Sequence, residues 1–267
     1  MKLSDFVVEY MEDINIKHVF GVTGGGAMHL NNSLAQSKKI KFIMSHHEQS
    51  AAMMAEAYSR KKGDIGVCHV TTGPGGTNAI TGVVGSWIDS IPMLIISGQV
   101  AKKDMINNLK IRQMGIQEAD IVPIVSNFTK YAKTLKNPND ILYELDKALY
   151  LARSGRPGPV WIDIPLDVQT AFIKKKELKI FSKPIQRNKK INYKKIIDLI
   201  THSKRPCILI GNGLHISNSE NLFKKFFKSF DLPLLSSWNA SDIIETKNKK
   251  YIGRVGIFGD RAANFTI

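Results

Sequence analysis

Cysteine, acid and long apolar runs are all scarce in this sequence of 267 residues. Its two cysteines, Cys68 and Cys207, lie far apart and form no CxxC pair, which excludes a disulfide framework and a thiolate metal knot. Each sits in a short apolar stretch, so both read as buried free thiols of a reducing compartment. No uninterrupted apolar run approaches the roughly 20 residues of a membrane span. The N-terminus, "MKLSDFVVEYMEDINIKHVFGV", reads as an amphipathic helix leading into a strand, without the basic and apolar regions of a signal peptide. The expectation is a cytoplasmic chain with no membrane partner. Acid falls short of base, 23 Asp and Glu against 38 Lys and Arg, for a net charge of +15. Such a balance ordinarily points to nucleic acid. Here most of the base is lysine in short groups between elements, as at Lys174 to Lys176, and no basic helix with interleaved aromatics occurs. A compositional bias is expected, and no nucleic-acid partner.

What the sequence does have is alternation, in a chain whose 43% hydrophobic content can fill one large core or two smaller ones. Strand-like runs, "KHVFGV", "IKFIMS", "IGVCHVTT", "PMLIISGQ" and "GPVWIDIP", are separated by helical patterns such as "EQSAAMMAEAYSRKKG" and "TNAITGVVGSWIDS". Apolar strands each followed by a helix predict an α/β fold with a doubly wound parallel sheet. Ligands of such sheets bind outside the carboxyl ends of the strands. The pattern places a first domain at 1–170, a polar, Lys-rich linker containing Pro184 at 171–190, and an incomplete second α/β domain at 191–267. The chain stops within a helical pattern, "GDRAANFTI", and so reads as a piece of a longer protein.

Two turns stand out at the predicted strand ends. In "HVTTGPGGTNAITGV" a strand meets a Gly-rich turn, and a helix opens near Thr77 and Asn78; glycines allow close backbone approach, and the free N–H groups of the helix start suit an acceptor. A plain tight turn explains the same residues equally well. In "KFIMSHHEQSAAMMAEAYSR" the adjacent His46 and His47 lack the i, i+4 spacing of a helical zinc pair, so a metal site is not expected. Ala51, Ala52, Ala55 and Ala57 predict close helix packing and a buried Glu48, and a buried carboxylate needs a specific partner or takes up a proton.

Taken together, "HHEQSAAMMAEAYSR", "VTTGPGGTNAITGV", "WIDSIPMLIISGQV" and "ARSGRPGPVWIDIPLDV" resemble, in order and spacing, the pyrimidine-binding domain of thiamine-diphosphate enzymes of the acetolactate synthase (acetohydroxyacid synthase) group. The likeness spans about Leu3 to Val168 and continues more weakly to "GIFGDRAAN", which looks like the Gly-rich stretch of that family's central domain. It implies that Glu48 is the glutamate that hydrogen-bonds N1′ of the cofactor's aminopyrimidine, favouring the tautomer whose 4′-nitrogen takes the C2 proton of the thiazolium. His47 matches the histidine that commonly precedes it. Thr72, Pro74 and Asn78 match residues bordering the pyrimidine ring. Gly25, Gly26 and Ala27 match a loop on the substrate side of the thiazolium, and Gln117, in "IQEAD", matches the glutamine of a Phe-Gln-Glu-x-Asp motif in which Ile116 replaces the Phe.

The resemblance implies thiamine diphosphate as cofactor, Mg2+ held by Gly-Asp-Gly and Asn ligands outside this chain, and no metal ligand within it. A flavin (FAD) finds no support, because Ser126 stands where flavin-binding members commonly carry Arg. "VTGGGAMH" also departs from the Pro-Gly-Gly-Ala of the true synthases. The implied substrate is a pyruvate-like 2-keto acid, decarboxylated and joined to an acceptor. The implied assembly is a homodimer or homotetramer with the cofactor at the interface, and because the diphosphate and Mg2+ ligands are missing from it, this chain alone is expected to be inactive. A simple decarboxylase, an acyl-CoA lyase and a non-catalytic relative remain the alternatives.

Overall fold

The computed structural model describes residues 1–107, 109–184 and 191–267, and the chain divides into two units, Met1–Lys183 and Pro184–Ile267. The first unit is built on six strands: β1 (His18–Gly21), β2 (Lys41–Met44), β3 (Gly66–Val70), β4 (Met93–Gln99), β5 (Tyr131–Thr134) and β6 (Pro159–Pro165). All pair in parallel, in the order β2-β1-β3-β4-β6-β5. β3, β4 and β6 are buried along their whole length, which is why they are apolar on both faces. Successive residues feed two separate cores. Val67, Leu94, Ile96, Val160 and Ile162 pack with α1 (Leu3–Asp13), α2 (Met28–Gln36) and α6 (Ile141–Arg153). Cys68, Val70, Ile95 and Trp161 pack with α3 (Glu48–Lys62), α4 (Pro74–Asp89) and α5 (Ile121–Val125). The sheet is thus covered on both sides.

Small residues bring α3 and α4 together. A Cβ on Gly82 would stand 2.6 Å from that of Ala52, and one on Gly66 would lie 1.9 Å from the Ala55 carbonyl oxygen. Ala51, Ala52 and Ala55 are buried in close packing as their pattern predicted, whereas Ala57 is exposed, because it falls on the outer side of α3. α3 starts on His47, whose Nδ1 accepts from the Gln49 N–H, and ends on Gly63 in the left-handed conformation (φ 71°).

α7 (Leu166–Thr170) closes the sheet, and the chain stays packed on this unit as far as Lys183. Ile173 and Leu178 are buried in its first core, and the backbone pairs Leu3 with Ala171 and Ile173 with Met1. The stretch 171–190 is therefore not a linker throughout, since its two apolar side chains anchor its first part. Residues 185–190 of that stretch lie outside the described residues. The second unit has a three-stranded parallel sheet, β7 (Ile208–Ile210), β8 (Leu234–Ser236) and β9 (Tyr251–Arg254), in that order. Four helices accompany it: α8 (Tyr193–Thr201), α9 (Gly213–Ile216), α10 (Glu220–Lys228) and α11 (Arg261–Thr266). Phe223 and Phe227 of α10 pack on Ile210 and Leu234. Cys68 is buried as expected, whereas Cys207 is only half-buried, because it precedes β7 and does not lie within it. Among the described residues no helix is long and apolar enough to cross a membrane.

In the first sheet the chain runs outward from β1 to β2, then returns to β3 and builds the other side. The carboxyl ends of β1 and β3 diverge at this point, and open α/β sheets form their ligand crevice at such a switch.

Candidate active site

Four strand ends contribute to the crevice. After β1 comes a tight single turn, Gly25–Ala27, leading into α2. After β2 the chain turns through His46 and His47 to Glu48. After β3 comes Thr71 to Gly76, and β4 ends at Gln99, from which a loop leads to Asp120. α4 begins at Pro74, earlier than the sequence pattern placed it, because proline suits a first helical position where no N–H is needed.

Glu48 sits at the first position of α3 and reaches across to the start of α4. Asn78 donates from Nδ2 to Glu48 Oε2 at 3.0 Å, and a Cβ on Gly75 would stand 3.6 Å from Oε1. Among the described residues only Asn78 donates to this carboxylate, which leaves Oε1 beside Gly75 without a donor. The start of α4 offers partial positive charge to the same group. The expectation of a buried Glu48 needs correction: the side chain is half-buried, at a rim where Pro74 and Asn78 are exposed. His46 is exposed, and His47 serves as the helix cap.

The Gly-rich turns are shaped around Thr71. Cβ atoms on Gly24 and Gly75 would approach its side chain to 2.5 and 2.7 Å, and one on Gly26 would meet Thr72 at 2.8 Å. The Thr71 hydroxyl is buried with no partner among the described residues. Within the Gly25–Ala27 turn, Ala27 is buried and its N–H is taken by the Gly24 carbonyl (3.1 Å), so Gly25 and Gly26 present the more open backbone. Two amides hold this turn. Asn31 Nδ2 donates to the Gly24 carbonyl (3.1 Å), and Gln169 Nε2 donates to those of Gly26 (2.7 Å) and Ile164 (2.8 Å). Asn31 is itself oriented by His69, whose Nε2 lies 2.7 Å from Oδ1. Burial pushes the His69 pKa down to about 4, so the ring is neutral and donates from Nε2.

Gln117 is brought to the same place. Its backbone is left-handed (φ 59°), and its carbonyl oxygen occupies the spot where a Cβ on Gly73 would stand, 1.9 Å away. Gly73 itself has φ 60° and ψ −117°, a conformation that strains any L side chain. Gly25, Gly26, Ala27, Glu48, Thr72, Pro74, Asn78 and Gln117 therefore lie near one another beyond the carboxyl ends of β1, β2 and β3.

Sequence reading missed the buried polar groups beneath. Gln99 accepts from the Thr72 hydroxyl (2.6 Å) and donates to the Ala119 carbonyl (2.8 Å) and to Asp163 (3.3 Å). Asp163 also accepts from Ser97 (2.6 Å) and Thr134 (3.2 Å), and Trp161 Nε1 donates to Ser97 (2.7 Å). Burial pushes the Asp163 carboxyl up to about 7. A lone acid in "VWIDIP" and a glutamine closing "LIISGQ" were the only signals available.

Comparison with known proteins gives matches along most of the chain. Residues 1–124 match the family described as thiamine pyrophosphate enzyme, N-terminal TPP binding domain, and residues 193–267 match its central domain. The acetolactate synthase large subunit of Lactococcus lactis subsp. lactis is 33% identical over 268 residues, covering 99% of this chain and 46% of that protein. The large subunit of acetolactate synthase isozyme 3 of Escherichia coli is 31% identical over 270 residues, again 99% of this chain and 46% of the relative. That of Buchnera aphidicola subsp. Acyrthosiphon pisum is 34% identical over 274 residues, with the same shares. The chain spans about half the length of these relatives.

Proposed function

The chain belongs to the thiamine pyrophosphate enzymes, and from that premise we propose that it supplies the aminopyrimidine-activating half of an acetolactate synthase-like enzyme. Its substrate would be a pyruvate-like 2-keto acid, decarboxylated and ligated to an acceptor. The observation that carries this reading is the Glu48 carboxylate beyond the strand ends, with one oxygen fixed by Asn78 and the other beside Gly75 without a donor among the described residues. A carboxyl so placed can hold a proton against a ring nitrogen.

The residues present fit the cofactor. Gly25 has open space where a Cβ would stand, and beneath the glycine turns the buried Thr71 hydroxyl has no partner among the described residues. Thiamine diphosphate, when bound, supplies the electron sink that a 2-keto acid needs to lose carbon dioxide. Glu48 holds the proton at N1′, and Asn78 keeps its carboxylate turned to that task. Thr72 and Pro74 would border the pyrimidine. On the substrate side, Gly25 and Gly26, backed by the buried Ala27, form the wall whose backbone N–H groups can polarise a carbonyl, with Gln117 as a further substrate-side residue. Mg2+ and the diphosphate would be held by residues elsewhere in the protein, and no flavin forms part of the proposal.

The test is reconstitution. Full-length protein stripped with EDTA and dialysed should release carbon dioxide from pyruvate or a near 2-keto acid only when thiamine diphosphate and Mg2+ are both returned. No turnover across a panel of 2-keto acids with both present would overturn the assignment. Free aldehyde as the sole product, in the presence of a second 2-keto acid, would replace ligation with simple decarboxylation.

A further inference from the structure

We propose that Gln99 is a positioning residue that seats the Gln117 loop on the Gly73–Pro74 turn, keeping the substrate side and the pyrimidine side of the crevice at one spacing. This rests on the function proposed above. Gln99 is the last residue of β4 and is 1% exposed. Its amide is fully used. Oε1 accepts from the Thr72 hydroxyl (2.6 Å) and the Val100 N–H (3.0 Å), while Nε2 donates to the Ala119 carbonyl (2.8 Å) and Asp163 Oδ2 (3.3 Å). One side chain thus joins the end of β3, the core of β6 and the loop two residues beyond Gln117.

The loop is built to respond as a unit. The Glu118 carboxylate accepts from the backbone N–H groups of Ile106, Met114 (3.0 Å) and Gly115 (3.2 Å), tying the loop to itself. Its seat is a backbone contact, the Gln117 carbonyl against Gly73, which has no side-chain slack to absorb a shift. The Ala119 tether then decides how close Gln117 lies to Thr72 and Pro74. A primary amide of this length suits the place. It meets an acceptor in Ala119 and a donor in Thr72 simultaneously, which neither a carboxylate nor a thioether can do. A missing amide would leave Thr72, Ala119 and Asp163 short of partners in a buried setting.

The experiment replaces Gln99 in the full-length enzyme with Met, which keeps length and burial but makes no such bonds. Hydrogen–deuterium exchange of peptides within 109–120 should rise about tenfold, with peptides from β4 and β6 unchanged. KM for the 2-keto acid should rise roughly ten- to a hundredfold, while C2 proton exchange of bound thiamine diphosphate, set by Glu48, holds its rate. If Gln99→Met does not fold, Gln99→Asn keeps the amide one methylene too short and carries the same expectations. Unchanged exchange in 109–120 with unchanged KM overturns the role, and so does loosening spread evenly over β4 and β6. An active wild type with an unaffected variant sinks the role alone. A wild type without thiamine-diphosphate-dependent turnover sinks the proposed function, and the role with it.

Discussion

At the residue scale, the role proposed for Glu48 separates catalysis from stability. Being half-buried and on a helix start, it gives the fold no more than about 1 kcal/mol of dipole interaction. Glu48→Gln should therefore unfold within a few degrees of the wild type. Its C2 exchange should slow by about 10²–10⁴ or more, since the shared proton is lost. A variant that keeps most of the wild-type exchange rate would remove Glu48 from its role. Asp163 is the opposite case, a buried acid away from the reacting atoms. Its carboxyl, raised to about 7 by burial, holds a proton in the folded state that an unfolded chain has shed from about pH 4 upward. Unfolding within that window releases the proton. The stabilisation is complete below about pH 4 and is lost as the pH rises through about 7. The span is on the order of a few kcal/mol, reduced by the donors from Ser97, Gln99 and Thr134 that favour the charged form. Asp163→Asn should flatten the fall in urea midpoint between pH 5 and pH 7.5, and an undiminished fall would show that other groups cause it.

At the element scale, the strand–turn–helix from β3 to α4 is the part with least tolerance. Gly73→Ala would place a Cβ 1.9 Å from the Gln117 carbonyl in a backbone that disfavours any side chain, so the loop must lift. A loss of about 1–3 kcal/mol in stability is expected, together with reduced affinity for the 2-keto acid, measured by denaturation and by KM. An alanine variant with wild-type KM would mean that the Gln117 contact is not needed. The elements themselves were legible because their signals are collective. A run such as "MLIISGQ" is apolar on both faces only if both faces are covered, and β4 is indeed buried throughout. Glu48 and the Gly-rich turn were legible through an ordered set of four motifs. Gln99, Gln169 and Asn31 were not, because a single amide beside a strand or helix end looks like any solvated loop residue. Only three-dimensional proximity reveals that Gln169 bonds the Gly26 carbonyl 143 residues away in sequence. Ile173 and Leu178 escaped for a related reason. Two apolar side chains in a Lys-rich stretch form no periodic pattern, yet they suffice to anchor it.

At the scale of the whole molecule, the question is what covers the outside of α3 and α4. Their inner faces are filled by Ala51, Ala52, Ala55, Ala79 and Val83, but Met53, Trp87 and Ile88 remain 44%, 39% and 62% exposed. Large apolar side chains left in the open on two packed helices mark a surface that can take a partner. Met53 lies in the second turn of α3, which begins at Glu48, whereas Trp87 and Ile88 stand at the far end of α4. A second copy fits this economically, because a twofold axis pairs like surfaces and buries both stripes at once. The full-length protein at micromolar concentration should sediment as a dimer or tetramer. Trp87→Glu combined with Ile88→Glu, which places two charges in that contact, should shift it towards monomer and reduce turnover in the same proportion. A wild-type monomer that still turns over would refute the shared-site arrangement. Should the double variant stay assembled and active, the remainder of the same chain covers these helices, and the partner subunit reaches the cofactor elsewhere.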